Sequence, residues 1–481
     1  MASGTIQVFL AESLLLPTGL LTAAYLTRQL GPEGYGLLML ATTIVSWLGW
    51  SITSAFTRTT IKFIGEAEDW RSVAATVLQL HLVLGVAAAA LFWLLSKPVA
   101  GALGEPELAP YLRLFVLEVP IFCLTYAHRS VLVGLGKFSQ RAVSTAVRWI
   151  SRLVLIVALV AAGLSLWGAI LGSLLAALIE LLVCRFYVRP PLFWRSPFPL
   201  QKLWGYAVPL FLLALSLRLY EKLDLLMLKL LGGTAADAGF YGTAQNLSLI
   251  PSLFTLSFVP LLLSTVTRTL HSADLEKAKR LSRDAMRLVL LMLPFAGLGA
   301  GAAAEIIQLL FSSTFLPAAP LFSVLIFGAV ALAMIAVTTA ILTAASKPNW
   351  TIALTGPMVL LAILGHLWLI PKFGTIGAAS VTTFVASLGA VALVLAIYLL
   401  WKILPPFPSL VRSLFLSGVM YGVASLWVVS GWLLVGKLLI LSTLILMGFL
   451  LLGELSDREL ELVRSGIRSA VGYFSGKPRS S

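Results

Sequence analysis

Residues 30–36 are Leu-Gly-Pro-Glu-Gly-Tyr-Gly, and they lead directly into an apolar helix. About 206 residues later, the segment from Leu231 to Gly242 contains the same turn-forming glycines and a Tyr-Gly pair, and it also leads into an apolar helix. Two further pairs of segments show weaker similarity at nearly the same offset. They pair Leu135–Phe138 with Ala345–Pro348 and Trp167–Ile170 with Ile376–Ala379. Three matches in the same order predict an internal repeat.

The composition indicates whether the chain lies in a membrane or in water. Of the 481 residues, 59% are hydrophobic and only 11% are charged, with a mean hydropathy of +0.99. Such a chain is a polytopic membrane protein, and no segment is long and polar enough to form an aqueous enzyme domain. We therefore expect no enzymatic activity. Cys123 and Cys184 both lie in apolar runs, which disfavours a disulfide framework.

Windows of about 20 apolar residues predict about fourteen transmembrane helices in an all-α fold. Six helices in each repeat is an even number, so the two halves share an orientation and face each other across a central cleft. The predicted parts are an N-terminal lobe of helices 1–6, a basic connector, a C-terminal lobe of helices 7–12, two further helices and an amphipathic cytoplasmic tail. Their bounds are 1–186, 187–203, 204–402, 403–453 and 454–481.

The basic residues predict the orientation. Alternate loops hold 25 lysines and arginines on one side and six on the other. Because basic loops stay in the cytoplasm, both termini should be cytoplasmic, in the plasma membrane. The basic residues lie between apolar segments, so we expect no nucleic-acid binding. Three cations are left over, namely Arg152, Arg218 and Lys222.

The seventh predicted helix carries a charged cluster near its middle. Arg218, Glu221, Lys222 and Asp224 lie within two turns, on adjacent helix faces. Charge at this depth is costly and is usually paired or facing water. Two interpretations stay open: a self-neutralised packing cluster, or the wall of a hydrated cavity that presents cations to an anionic substrate.

The fifth predicted helix carries two more arginines. Arg148 and Arg152 lie four residues apart on one face, and no acid within a turn neutralises them. This pair favours the hydrated cavity, with Arg148 and Arg152 as substrate-binding residues. Alternatively, both extend to the cytoplasmic headgroups, which fits Arg148 better than Arg152, one turn deeper. Arg28 and Arg58, at the ends of the first two helices, are either interfacial anchors or substrate-binding residues.

Several acids are candidates for a coupling ion. Glu12 lies five residues before Pro17, which should bend its helix, so Glu12 could bind a proton or Na⁺ beside the bend. Glu221 and Asp224 are the other candidates for ion coupling. Glu118 and Glu180 are expected either to pair with nearby basic groups or to lie at the membrane interface. His81 and His366 are isolated on apolar helices, so we predict no metal site and no bound cofactor.

These segments together resemble the Wzx-type polysaccharide-export flippases, in the superfamily that includes the multidrug and toxin extrusion transporters and the lipid II flippases. The resemblance rests on Arg28–Gly36, on Asp224–Met227 through Gly239–Ala244, and on the Gly-Lys-Phe of residues 136–138. It spans roughly residues 5–400. Ser312 and Ser313 depart from the pattern, because a Phe-Gly pair is common there.

The resemblance implies that the protein moves a polyprenyl-diphosphate-linked oligosaccharide from the inner to the outer leaflet for polysaccharide export. It implies membrane lipids as partners, with a polysaccharide polymerase or glycosyltransferases as further candidates. Transport could be driven by Na⁺, H⁺ or the membrane potential. Two alternatives remain, a cation-coupled multidrug exporter and a non-transporting membrane scaffold for glycosyltransferases. The oligosaccharide and the oligomeric state are not determined by the sequence.

Overall fold

The computed structural model describes residues 2–191 and 223–454. Within these ranges every regular element is a helix. Hydrocarbon cannot form hydrogen bonds with backbone N–H and C=O groups, whereas a helix satisfies these groups internally. This architecture therefore suits a membrane. Nine continuous helical stretches of the described residues are long and apolar enough to cross a bilayer. Several of them join two of the helices named below, and three are 46 to 60 residues long. The predicted all-α polytopic fold is confirmed, whereas the number of fourteen spans stays a prediction.

The first group of helices is formed by residues 2–187. A break separates α1 from α2 at Leu14. Its cause is Pro17, which has no N–H to bond the carbonyl of Ser13 and whose ring crowds that carbonyl. Gly31, at a φ of 67°, then bends α2 into two spans. The helices are α1 (Ala2–Ser13), α2 (Leu15–Glu66), α3 (Trp70–Ala102), α4 (Leu108–Phe115), α5 (Glu118–Gly134), α6 (Phe138–Leu159) and α7 (Ser165–Tyr187).

The second group follows residue 222. Thr234 and Asp237 form a capping box that starts α9. Gly374, at a φ of 55°, bends α15 into two spans. The helices are α8 (residues 223–230), α9 (Ala235–Ser248), α10 (Ser252–His271), α11 (Leu275–Leu290), α12 (Leu293–Gly301), α13 (Ala303–Leu310), α14 (Ala318–Ala344), α15 (Pro348–Trp401), α16 (Phe407–Leu426) and α17 (Leu433–Leu451).

Left-handed backbone conformations recur at the predicted repeat offset. Gly136 and Ser346, 210 residues apart, have φ values of 70° and 59°. Gly163 and Gly374, 211 residues apart, have φ values of 89° and 55°. Turns of one conformation at one offset support the predicted internal repeat. They also define two ends of the bundle: the Gly31 end, with Gly31, Gly163 and Gly374, and the opposite Gly136 end.

Packing across the two groups is tightest at the Gly31 end. The second half of α2 packs along α9, and a single apolar core includes residues from both groups. A Cβ at Gly36 would lie 1.8 Å from the carbonyl oxygen of Ala235, and one at Gly239 would lie 2.2 Å from that of Pro32. The two backbones therefore touch, and only glycine fits at these two positions.

Helices α16 and α17 are attached to the second group by buried ion pairs. Lys437 has a fully buried side chain whose Nζ lies 2.5 Å from Oε2 of Glu305. At the other end, the Glu454 carboxylate accepts bonds from Arg287 at 2.7 Å and from Arg412 at 2.9 Å. These contacts hold α16 and α17 against α11–α13 at both ends of the bundle.

Candidate functional site

A cavity of about 210 Å³, lined by both polar and apolar residues, lies between the two groups of helices. Both halves of α2 line it, together with α6, α7, α8 and α9. Its polar lining residues are Thr22, Tyr35, Thr42, Thr43, Arg152, Ser173, Gln245 and Asn246. The predicted cleft between the repeats is therefore present, and Arg152 of α6 is the one cation among its described lining residues.

Arg152 lines the cavity together with Ile156, four residues later on the same face of α6. Its Nε is buried and has no hydrogen-bond partner, and none of the ion pairs among the described residues includes Arg152. Across the cavity, Asn246 Nδ2 donates to the Tyr35 hydroxyl at 3.0 Å. A partly buried cation with no ion-pair partner among the described residues is costly, so Arg152 is suited to an anionic ligand.

A network of buried charges lies nearer the Gly136 end, in the first group of helices. Arg129 and Arg141 each donate to Oε1 of Glu12 at 2.7 Å. Arg148 donates to Oε1 of Glu118 at 2.7 Å. Glu180 lies 3.5 Å from both Arg129 and Arg148. The helices that meet in this network are α1, α5, α6 and α7.

This network corrects the sequence-based account of Arg148. From local spacing Arg148 had no acid to neutralise it, but α5 and α7 bring Glu118 and Glu180 to it. The prediction that these two acids pair with basic groups is confirmed. Together with Arg152 the cluster contains four arginines and three glutamates, hence one excess positive charge. Because the other three arginines are paired, the excess resides at Arg152.

Asp224 lies on α8, beside the cavity. Its buried carboxylate accepts hydrogen bonds from the Tyr241 hydroxyl at 2.7 Å, from Gln245 Nε2 at 3.2 Å and from the Thr382 hydroxyl at 3.4 Å. These three donors are neutral. Gln245 also lines the cavity, so the carboxylate is one hydrogen bond away from it.

Other predicted site residues are placed differently. Arg28 lies at the Gly31 end, where its Nη2 donates to the Leu309 carbonyl at 2.6 Å, and it is not among the cavity-lining residues. Glu12 is engaged by Arg129 and Arg141, so its predicted ion coupling stays a prediction. Arg218, Glu221 and Lys222 lie outside the described residues, as do the side chain of Arg58 and the predicted tail from residue 455 onward.

Sequence reasoning missed several residues of this region. Arg129 and Arg141 had been counted among the residues that orient the helices, because they lie close to the predicted helix ends. Tyr35 was recognised only as part of the repeated glycine-rich segment, and Asn246 gave no signal, since an asparagine is ordinary in a helix. Within the described residues, no three His, Cys, Asp or Glu side chains come together as a metal site.

A second recess lies on another face of α6 and is apolar. It measures about 540 Å³ and is lined by Leu21, Leu153, Val154, Val157 and Ala158. With no polar or titratable side chain among these residues, it suits lipid chains and not a charged headgroup. The chemistry of the site therefore lies in the smaller cavity that contains Arg152.

Comparison with known proteins gives three findings. Residues 1–262 match the family model described as polysaccharide biosynthesis protein. A segment of 164 residues is 28% identical to the succinoglycan biosynthesis transport protein ExoT of Rhizobium meliloti (strain 1021), and it covers 33% of this chain and 32% of that protein. The chain thus spans about a third of the length of this relative.

The fold is shared with two kinds of solved transporters. The lipid II flippase MurJ, in an inward closed conformation, superposes with a TM-score of 0.78 at 16% identity, over 96% of this chain and 100% of that one. An inward-facing multidrug resistance transporter of the MATE family and MOP superfamily superposes with a TM-score of 0.67 at 15% identity, over 85% and 96%. At such identities, these likenesses establish the fold alone.

Proposed function

The chain belongs to the polysaccharide biosynthesis protein family, and on this basis we propose that it is a flippase for a polyprenyl-diphosphate-linked oligosaccharide. The observation that carries the proposal is Arg152, a cation with no ion-pair partner among the described residues, in a cavity between two groups of helices. A diphosphate supplies the missing negative charge. Charge-assisted hydrogen bonds to it are strong where the local dielectric is low.

Contacts between the groups support alternating access. At the Gly31 end, Lys229 Nζ of α8 lies 2.7 Å from Glu105 Oε1 and 2.6 Å from the Gly233 carbonyl. Arg28 reaches α13 at the same end. With basic loops in the cytoplasm, the Gly31 end faces outward and both termini face inward, in the plasma membrane. The headgroup then enters from the inner side, and these outer contacts separate to release it.

The driving force follows from the charge of the cargo. Each negative charge that moves outward across an inside-negative membrane gains about 2.3 kcal/mol per 100 mV, so a diphosphate with two charges gains about 4 to 5 kcal/mol. The lipid chain stays in the bilayer. Binding of H⁺ or Na⁺ at Glu12, Glu221 or Asp224 would return the empty carrier. No organic cofactor is required, and a polymerase or glycosyltransferase is the expected partner.

Substitution of Arg152 tests the proposal. We expect Arg152→Gln to reduce export of the saccharide at least tenfold at equal protein abundance, with lipid-linked saccharide accumulating in the inner leaflet. Arg152→Lys should retain part of the activity, because it keeps the positive charge but loses the planar guanidinium, which can donate two parallel hydrogen bonds. Arg280→Gln, on the exposed face of α11, is the matched control. Export at the wild-type level in Arg152→Gln would contradict the assignment of Arg152 as the diphosphate-binding residue.

A cation-coupled exporter of amphiphilic drugs is the second candidate. It is favoured by Asp224, a buried carboxylate beside the cavity, because a coupling cation needs an anionic ligand. Uptake of a cationic dye into vesicles separates the two candidates. Transport of the dye that depends on Asp224 and is indifferent to Arg152 would favour the exporter.

A further inference from the structure

Three aromatic rings form a compact cluster next to the charged network. Trp50 of α2 lies 4.9 Å from Tyr126 and 5.5 Å from Phe122 of α5, centroid to centroid, at interplanar angles of 70° and 71°. Phe122 and Tyr126, one turn apart, are 4.4 Å from each other. All three side chains are partly exposed. We call Trp50, Phe122 and Tyr126 the aromatic platform.

The platform is held rigidly from both sides. A Cβ at Gly49 would lie 2.9 Å from the Phe122 ring, so the ring packs directly on the backbone of α2. The guanidinium of Arg129 lies 4.7 Å from the centroid of Tyr126, and that of Arg148 lies 5.9 Å from that of Phe122. Both arginines are fixed in turn by ion pairs, Arg129 with Glu12 and Arg148 with the buried Glu118. Rings held in this way can bind a ligand with little loss of side-chain entropy.

The platform is placed beyond the cavity, toward the Gly136 end. Trp50 follows the cavity-lining Thr43 by seven residues, which is two turns along the same face of α2 and about 10 Å along its axis. Arg148 precedes Arg152 by one turn, or about 6 Å along α6. Going from Arg152 toward the Gly136 end, the helices therefore present first Arg152 and then aromatic rings flanked by paired arginines.

Sugars match this arrangement of groups. A pyranose ring has an apolar face of C–H groups, which stacks on an aromatic face, and a rim of hydroxyls, which bond to charged side chains. Amphipathic aromatic surfaces beside a few fixed polar groups are typical of ligand sites. The order along α6, diphosphate site and then platform, is also the order of diphosphate and saccharide in the proposed substrate.

We infer that Trp50, Phe122 and Tyr126 bind the saccharide of the lipid-linked substrate by stacking on a sugar ring next to the diphosphate. This inference rests on the proposed function and adds a second subsite to it. Arg152 holds the part that all such substrates share. The platform, by contrast, contacts the part that differs between polysaccharides, so it selects among them.

Binding of two probes to the purified full chain tests the inference. One is polyprenyl diphosphate alone, and the other is the lipid-linked oligosaccharide extracted from cells that lack this gene. We expect Trp50→Leu to bind the oligosaccharide about tenfold more weakly, equivalent to about 1.4 kcal/mol, and polyprenyl diphosphate normally. Trp50→Phe should recover most of the loss. The matched control is Trp93→Leu, because Trp93 is 45% exposed on α3 and lies 4.8 Å from the Arg113 guanidinium, away from the cavity.

The outcomes separate this inference from the proposed function. Equal weakening of both probes by Trp50→Leu, or no change in either, overturns the saccharide subsite. Arg152→Gln should weaken both probes; if it weakens neither while Trp50→Leu weakens the oligosaccharide, the diphosphate site is wrong and the platform stands. If Trp50→Leu does not fold, Tyr126→Leu takes its place, with the same loss expected for the oligosaccharide alone.

Discussion

Replacing Gly36 by alanine should separate the two groups of helices at the Gly31 end. The added Cβ would lie 1.8 Å from the Ala235 carbonyl oxygen, whereas real Cβ atoms stay at least 3.0 Å from any neighbour. The contact is therefore 1.2 Å too short. The clash is with backbone, so no side chain can rotate to relieve it. Overpacking of this kind costs about 1–3 kcal/mol. Applied to the contact between the groups, that cost lowers the ratio of associated to separated ends about 5- to 150-fold.

Spin labels at Glu33 and Leu230 would report this separation. Both side chains are exposed, and the two native cysteines are buried, so labels attach only where cysteine is introduced. In Gly36→Ala the distribution of distances between the labels should shift to larger values by pulsed electron resonance. Gly101→Ala is the control, because nothing lies within 4 Å of a Cβ there. An unchanged distribution in folded Gly36→Ala would refute the role of this contact in holding the Gly31 end together.

Two further perturbations act on the buried charges. Glu118→Gln removes the 2.7 Å partner of Arg148 and should destabilise the protein by about 3–5 kcal/mol. Adding Arg148→Met should recover stability, and a double variant less stable than either single one would contradict this. The carboxyl of Glu454 is buried, which raises its pKa, but hydrogen bonds from Ser409, Arg287 and Arg412 outweigh burial and lower the pKa below 4.5. The stabilisation from this carboxylate is therefore present above pH 4.5 and lost as the pH falls below it. Thermal unfolding at pH 7 and pH 4 should show a smaller loss of stability for Glu454→Gln than for the wild type; equal losses would contradict the role of Glu454.

The sequence alone predicts the membrane class, the helical fold and the cleft between repeats, because these depend on composition and periodicity. In apolar spans, helices are the backbone structure that satisfies its own hydrogen bonds. Gly31 and Gly374 lie at bends, in left-handed conformations that other residues rarely adopt. The repeat is also legible because turns of the same conformation recur at a constant offset. Each of these features is local to a few residues or to one helix.

Only the tertiary structure decides which charges are free. Neither Arg148 nor Arg152 has an acid nearby in sequence, yet α5 and α7 bring Glu118 and Glu180 to Arg148, whereas Arg152 forms no ion pair with the described residues. The difference arises because an ion pair depends on distances of a few ångströms between helices that are far apart in the chain, such as the 30 residues that separate Glu118 from Arg148. Local sequence gives the cost of burying a charge, and packing determines where that cost is compensated.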